Sequence, residues 1–424
     1  MILHKIFYRI KQDGLRKGLT YFYQQLNYRF QYFWRKPKAH LQSKWQTLMW
    51  FIPGLALWFT RKRLSRRQKK LLLIWDAQSF PYTIGDIIGL NHYSLCLREE
   101  FQTSETDIAF VCDPSNPRRD IDPIYRNYLN EYNYHYHLNA LIPLAQINQH
   151  FGSLLFFNNY PQLNKYIADN LDNYVVWPSG HEYMNKVLSY LDISRKLVPQ
   201  FYRKHGHLPE LHCKPVMQDW AKTLYRKKIL PNIPVTVSLR VNKNKTVFSQ
   251  TEDPKGNADL QAWVQFFKAC QDKYPVTFVI ISSIDEIPDE LFDLPNVFIP
   301  KRYLLSAEQD MALVDTSPMH IGNGGGAWMM VLQSKKPYIL FSESSKGDEW
   351  FSEWANDNQV YISEPQTSSL IAAEFEKLFQ RLDFSQWLSD CRQSHEPLRT
   401  PFQLGMGDMN TDRKNPYPVI LEEL

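Results

Sequence analysis

The sequence predicts an α/β protein built of two doubly wound halves, and three observations carry that prediction. Short apolar runs recur along the chain, bounded by Gly, Pro, Asp and Ser, as expected of strands buried on both faces of a parallel sheet. Helical stretches alternate with these runs, which is the βαβ pattern. The series then starts a second time after Pro231 and Pro234. A length of 424 residues suits two or three domains with sizeable cores.

In the first half, Leu71-Leu72-Leu73-Ile74-Trp75 is the opening strand. Asp76 to Asp86 holds Ser79, Pro81 and Gly85 and reads as a loop, followed by a helix to Glu100. Asp107 to Cys112, Leu154 to Phe157 and Tyr174 to Trp177 are further strands, the last closed by Pro178-Ser179-Gly180. In the second half Val235 to Leu239 is a strand. Ala258 to Cys270 is a helix, because Leu260, Trp263, Val264 and Phe267 share one face. Val276 to Ile281 and Val297 to Ile299 are strands, and Ser306 caps a helix that runs to Asp315. Met319 to Ile321 is a strand leading into glycines, Ala327 to Gln333 a helix and Tyr338 to Phe341 a strand. The expected domains are residues 71–230 and 231–395, with a Pro-rich tail, 396–424, packing back across them.

Residues 1–70 differ from the rest. They hold seventeen Lys and Arg against one acid, Asp13, although the whole chain is only +5. Aromatics interleave with the cations, and Leu48 to Phe59 is an apolar run broken by Pro53-Gly54, too short to span a bilayer. Trp and Tyr favour the headgroup region and cations are drawn to anionic lipid. The expectation is a monotopic anchor on the membrane surface; packed helices with a solvated basic face, or a nucleic-acid patch, are the competing readings. No apolar run with a small-residue cleavage site marks a secretory signal. Five scattered cysteines without a CxxC pair fit a reducing compartment. The expected location is cytoplasmic, peripheral on the inner membrane face.

The chemistry gathers at Ile321-Gly322-Asn323-Gly324-Gly325-Gly326-Ala327-Trp328, where a strand ends, glycines come next and a helix is expected. Glycines let backbone N–H groups approach a ligand without a Cβ in the way. A helix N-terminus adds partial positive charge, and together these suit a pyrophosphate. A tight packing turn is the plainer reading. Arg240, at the end of the first strand of this half, can bind phosphate oxygens through its planar fork; a surface ion pair is the alternative. Lys245 is a second phosphate candidate, in a loop that also reads as merely solvated. Ser282 and Ser283 end the next long strand, where open α/β sheets place ligand contacts, or form a simple polar turn.

The stretch from Val314 to Phe341, VDTSPMHIGNGGGAWMMVLQSKKPYILF, resembles the donor-domain segment of nucleotide-sugar glycosyltransferases of GT-B fold. It is most similar to the ADP-heptose:lipopolysaccharide heptosyltransferase group and its fucosyltransferase relatives. Asn323-Gly324-Gly325 stands where that family carries an Asp-Ser-Gly-type turn. The opening run LLLIWDAQSFPYTIGDIIGLNHYSLCLREEF resembles the same family's first strand, loop, Gly-Asp and apolar helix. The resemblance implies two Rossmann-like domains facing each other. It implies a nucleotide-diphosphate sugar as donor, facing Arg240, with Lys245 second, and the Asn323-Gly324-Gly325 turn; Gly322, Gly326, Ser282 and Ser283 complete the expected donor contacts by their position. It also implies Asp86 as the base that takes the acceptor's proton.

Asp86 has a second reading as the N-cap of its helix. His92, on that helix, and His181-Glu182, after the fourth strand, are acceptor-site candidates, against the plainer readings of a structural histidine and an ordinary polar loop. His205, His207, His212 and Cys213 do not match a recognised zinc spacing. No Asp-x-Asp-like pair stands out after a strand, so no metal and no cofactor are expected. The expected activity is inverting transfer of a sugar to a glycan or lipid-linked acceptor, with no nucleic acid as partner. A nucleotide-sugar epimerase and a non-catalytic nucleotide- or glycan-binding protein are the alternatives.

Overall fold

Each half of the molecule is organised around a strand whose residues are almost all buried. A computed structural model describes residues 68–76, 83–112, 137–178, 196–241, 257–282, 287–303, 305–342 and 353–393, all within one compact unit. The membrane-surface expectation for residues 1–70, save its last three residues, and the tail 396–424 lie outside the described residues. Among the described residues no helix is long and apolar enough to cross a membrane.

The first sheet contains β1 (Lys70–Asp76), β2 (Thr106–Val111), β3 (Phe151–Phe157) and β4 (Tyr174–Trp177), in the order β3-β2-β1-β4 and parallel throughout. Leu71 to Asp76 are buried because β1 has a strand on each side and helices over the sheet. β3 starts earlier than the apolar run Leu154 to Phe157 suggests. Gly152 permits this: a Cβ there would lie 2.2 Å from Asp107 Oδ1, whose carboxylate accepts from Ser153 N at 2.9 Å. The second sheet contains β5 (Ile233–Ser238), β6 (Val276–Ile280), β7 (Val297–Phe298), β8 (Met319–Asn323), β9 (Tyr338–Phe341) and β10 (Gln359–Ile362), again parallel, in the order β10-β9-β8-β5-β6-β7. The α/β class with two Rossmann-like halves is therefore present in the structure.

The helices include α1 (Ile84–Glu100), α2 (Tyr160–Asp169), α3 (Val198–His205), α4 (Pro215–Lys228), α5 (Leu260–Cys270), α6 (Ala307–Thr316), α7 (Met329–Leu332), α8 (Ser368–Phe379) and α9 (Ser385–Gln393). Helix α1 is buried without interruption from Asp86 to Leu97. A helix buried all round is a core helix, and its polar residues find internal partners. Asn91 Nδ2 donates to Ile87 O and Leu144 O, at 2.8 and 3.0 Å, and Ser94 Oγ accepts from Asn148 Nδ2 at 3.1 Å. Ser306 caps α6 as its sequence position predicts, in a reciprocal box with Gln309.

Two apolar cores result. One lies within the second half, where Trp263, Phe266, Phe267, Phe278 and Phe375 pack as mutually tilted and edge-on rings. The other crosses between the halves: Trp75, Ile87 and Leu95 of the first share it with Met311, Leu313, Met330 and Val331 of the second. Here α4 packs on α6, and Tyr225 Oη donates to Leu313 O at 2.7 Å. Asp315 adds a polar tie, accepting from His212 Nδ1 at 3.0 Å, Cys213 N at 2.7 Å and Gln218 Nε2 at 2.9 Å. His205 pairs with Glu100 and His207 with Glu99, so these histidines fasten α3 and the chain after it to the end of α1.

Candidate functional site

The connectivity of the sheets locates the site. In the second sheet the chain leaves β5 toward β6 and β7, then returns to the other side of β5 with β8. At such a reversal the two carboxyl-terminal loops diverge and leave a crevice, where open α/β sheets bind ligands. The loops that diverge here begin at Leu239-Arg240 and at Asn323-Gly324, the two segments the sequence singles out. The first sheet reverses in the same way between β1 and β4. Asp76 ends β1 there, buried, and accepts a hydrogen bond from Tyr160 Oη.

Side chains tie the second crevice together. Arg240 N donates to Asn323 Oδ1 at 2.8 Å, and Asn323 Nδ2 donates back to Arg240 O at 3.3 Å. The buried Asn323 amide thus clamps the backbone of Arg240. Its side chain joins the two loops. Arg240 itself is half-buried, and a Cβ built on Gly325 would lie 3.8 Å from Arg240 Cβ. The base of the Arg240 side chain therefore lies beside the glycine turn. Gly324 has Trp328 as its neighbour, with Nε1 3.7 Å from the position of an added Cβ.

The glycines do different work. Gly322 is inside β8, paired with Ser238, at φ +148, and a Cβ there would lie 2.2 Å from Ser238 O. It is a close-approach glycine. Gly324, Gly325 and Gly326 form a partly exposed turn, and among the described residues their N–H groups meet no backbone acceptor. The helix beyond the turn is shorter than expected. Helix α7 has four residues, Met329–Leu332, in place of a helix from Ala327 to Gln333. Four residues align too few peptide dipoles to charge the end of a helix, so the helix-terminus contribution to anion binding falls away. The bare N–H groups of the turn remain as donors to an anion.

Ser282 also differs from expectation. Its hydroxyl accepts from Leu239 N and donates to Leu239 O, both at 3.0 Å. It latches the end of β5 to the end of β6 and does not stand ready for a ribose. Lys245, Ser283, His181 and Glu182 lie outside the described residues.

Asp86 is at the amino end of α1, in the third position and not at the cap itself. Thr83 is the cap: its hydroxyl accepts from Asp86 N at 3.1 Å, while Asp86 Oδ2 accepts from Thr83 N at 3.1 Å. The helix begins earlier than expected because Thr83-x-x-Asp86 closes this reciprocal box. His92 is corrected as an acceptor contact. It is 1% exposed, and its Nε2 lies 3.0 Å from Met329 O. Burial lowers its pKa to about 4, so the ring is neutral and donates through Nε2.

One residue that sequence reasoning missed organises the crevice from below. His320, on β8, places Nδ1 2.9 Å from Thr236 Oγ1 and Nε2 3.2 Å from Ser238 Oγ, and Ser238 Oγ donates to Asn323 O at 3.3 Å. The signal was present in β5, where Thr236 and Ser238 alternate with Val235 and Val237. Two hydroxyls on one face of a buried strand require a polar partner. Behind this chain a narrow gap lined by His320, Gly322, Trp328 and Tyr338 is too tight to admit water. It is a packing gap and no ligand pocket.

No protein-family profile and no curated protein matches the chain. Among solved structures, the chain is similar to the ADP-heptose lipopolysaccharide heptosyltransferase II of E. coli, at 12% identity and TM-score 0.42, over 74% of this chain and 99% of that one. A glycosyl transferase family 9 protein of Veillonella parvula is similar at 10% identity and TM-score 0.42, over 79% and 94% of the two chains. So is a putative UDP-N-acetylglucosamine 2-epimerase of Listeria monocytogenes, at 10% identity and TM-score 0.35, over 82% and 99%.

Proposed function

We propose that the protein is an inverting, metal-independent glycosyltransferase that moves a sugar from a nucleotide-diphosphate donor to a glycan or glycolipid acceptor. The observation that carries this reading is the convergence of Arg240 and the Gly324-Gly325-Gly326 turn at the reversal point of the second sheet. A guanidinium and a run of backbone N–H groups free of side chains suit the oxygens of a diphosphate. In transfer the acceptor hydroxyl attacks the anomeric carbon and that carbon's bond to the diphosphate oxygen breaks. The electron pair leaves with the nucleotide, where Arg240 and the turn offset its charge. Asp86 takes the acceptor proton. A single displacement inverts the anomeric centre. Residues 1–70 would hold the protein at the cytoplasmic membrane face, where lipid-linked acceptors are built.

Nucleotide binding tests the donor site. UDP, GDP, ADP and CMP are titrated while thermal unfolding is followed. One of the diphosphates is expected to raise the midpoint, since a ligand at a hundred times its Kd adds about 2.7 kcal/mol of stability. No shift with any of them rejects the donor site. Asp86→Asn then separates cap from base, because the amide oxygen still accepts from Thr83 N but is not basic. The variant is expected to keep stability and nucleotide binding and to lose roughly 10²–10⁴-fold in transfer. Undiminished transfer removes Asp86 from the chemistry.

A further inference from the structure

The amino end of α1 and the glycine turn belong to different halves, yet they touch. A Cβ added to Gly326 would lie 2.5 Å from Ile84 Cγ2, 2.6 Å from Ile84 Cβ and 3.1 Å from Gly85 N. One added to Gly85 would lie 3.5 Å from Met329 Cγ and 3.7 Å from Gly326 Cα. Further along α1, His92 makes its hydrogen bond to Met329 O, across the same line. Ile87 and Ile88 on one side and Met329, Met330 and Val331 on the other belong to one continuous core.

We infer that this seam positions Asp86 against the donor turn, with Gly326 setting how closely α1 approaches and His92 holding it there. Both are positioning residues. Asp86 follows Gly85 directly on a capped, buried helix, so its distance from Gly324 and Gly325 is fixed by how Ile84 and Gly85 settle on Gly326. Only glycine permits that contact. A methyl group would strike Ile84 Cγ2 and Cβ and press on Gly85 N at 3.1 Å, and of these Cβ and the backbone nitrogen cannot turn aside as the end of a flexible side chain does. A displacement of about 1 Å between reacting groups can cost on the order of 10²-fold in rate.

The catalytic arm of this inference rests on the proposed transfer reaction; its stability arm does not. Gly326→Ala is expected to lower the thermal midpoint by on the order of 5 °C. Ile84→Gly removes the struck Cβ and Cγ2, so in that background the same alanine is expected to cost much less. His92→Leu is expected to lower the midpoint, and His92→Gln, whose Nε2 can donate to Met329 O, to recover most of the loss. For turnover, nucleotide release from UDP-, GDP- and ADP-sugars is followed. Gly326→Ala is expected to lower kcat toward 10²-fold, and Ile84→Gly to restore it in part. A wild-type midpoint in Gly326→Ala, or a loss that Ile84→Gly does not relieve, overturns the seam. Coupled midpoints with unchanged kcat overturn the positioning role. If the native protein shows no nucleotide shift, the donor reading fails instead, and the coupled midpoints still decide whether the seam exists.

Discussion

Gly322→Ala is expected to lose about 3–5 kcal/mol of stability and, with it, the proposed nucleotide binding. Two costs add at this position. The backbone stands at φ +148, a conformation essentially reserved for glycine, and the new Cβ would meet Ser238 O at 2.2 Å and Ser238 N at 2.9 Å. Both are backbone atoms of β5, so the collision is relieved only by moving β8 away from β5 at the Ser238–Gly322 pair. That movement also pulls on the Ser238 hydroxyl that His320 and Asn323 share. Two other glycines calibrate the result. Gly206→Ala meets nothing within 4 Å and bears only its φ of +75, at about 1 kcal/mol. Gly324→Ala meets Trp328 at an ordinary 3.7 Å and is expected to cost least. Denaturant unfolding of the three variants checks the order; a Gly322 variant as stable as the Gly324 variant contradicts it.

Stability is expected to fall steeply as pH drops from 6.5 toward 4.5. Burial holds His92 at a pKa of about 4 and His320 at about 3, from an ordinary 6.5, with the Lys336 charge adding to the effect on His320. A base whose pKa is lowered on folding is protonated more readily in the unfolded chain. Its contribution is complete above pH 6.5 and is lost as pH falls toward the folded pKa. Each histidine is worth about 2–3 kcal/mol across that window. Asp310 works the other way: burial raises its carboxyl to about 6, partly countered by Lys301, so it favours the fold increasingly as pH drops through 6. The two histidines outweigh it. Denaturant midpoints from pH 7.5 to 4.5 measure the slope, and imidazole resonances report the two rings directly. A midpoint that holds or rises on acidification, or either ring titrating near 6.5 in the folded protein, contradicts the account.

Most of the strands were legible because burial on both faces leaves a mark in composition. Leu71 to Trp75 and Tyr338 to Phe341 are apolar throughout, Val276 to Ile280 has Thr277 as its one polar residue, and all are strands. Ser306 was legible as a cap because its partner, Gln309, lies three residues away. The start of α1 was misplaced for a related reason. Thr83 and Asp86 form an equally local box, in which Thr83 is the cap and Asp86 is already the third helical residue. The length of α7 was not legible, since AWMMVLQ is apolar enough for a helix and only the packing around the turn cuts it to four residues.

By itself the sequence determined the parallel α/β class, the restart near Ile233 and the clustering of glycines after the strand that begins at Met319. These come from local chemistry: which residues are apolar, and where glycine is required. Tertiary structure alone decided what each site residue does. Asn323 clamps Arg240 from another strand, Ser282 is used up by Leu239, His92 is sealed beneath Met329, and His320 serves two hydroxyls of β5. Each of these partners lies tens of residues or more away along the chain. A hydrogen bond or collision acts over a few ångströms of space, so the strand order that brings β8 beside β5, and α1 against the glycine turn, gives these residues their roles.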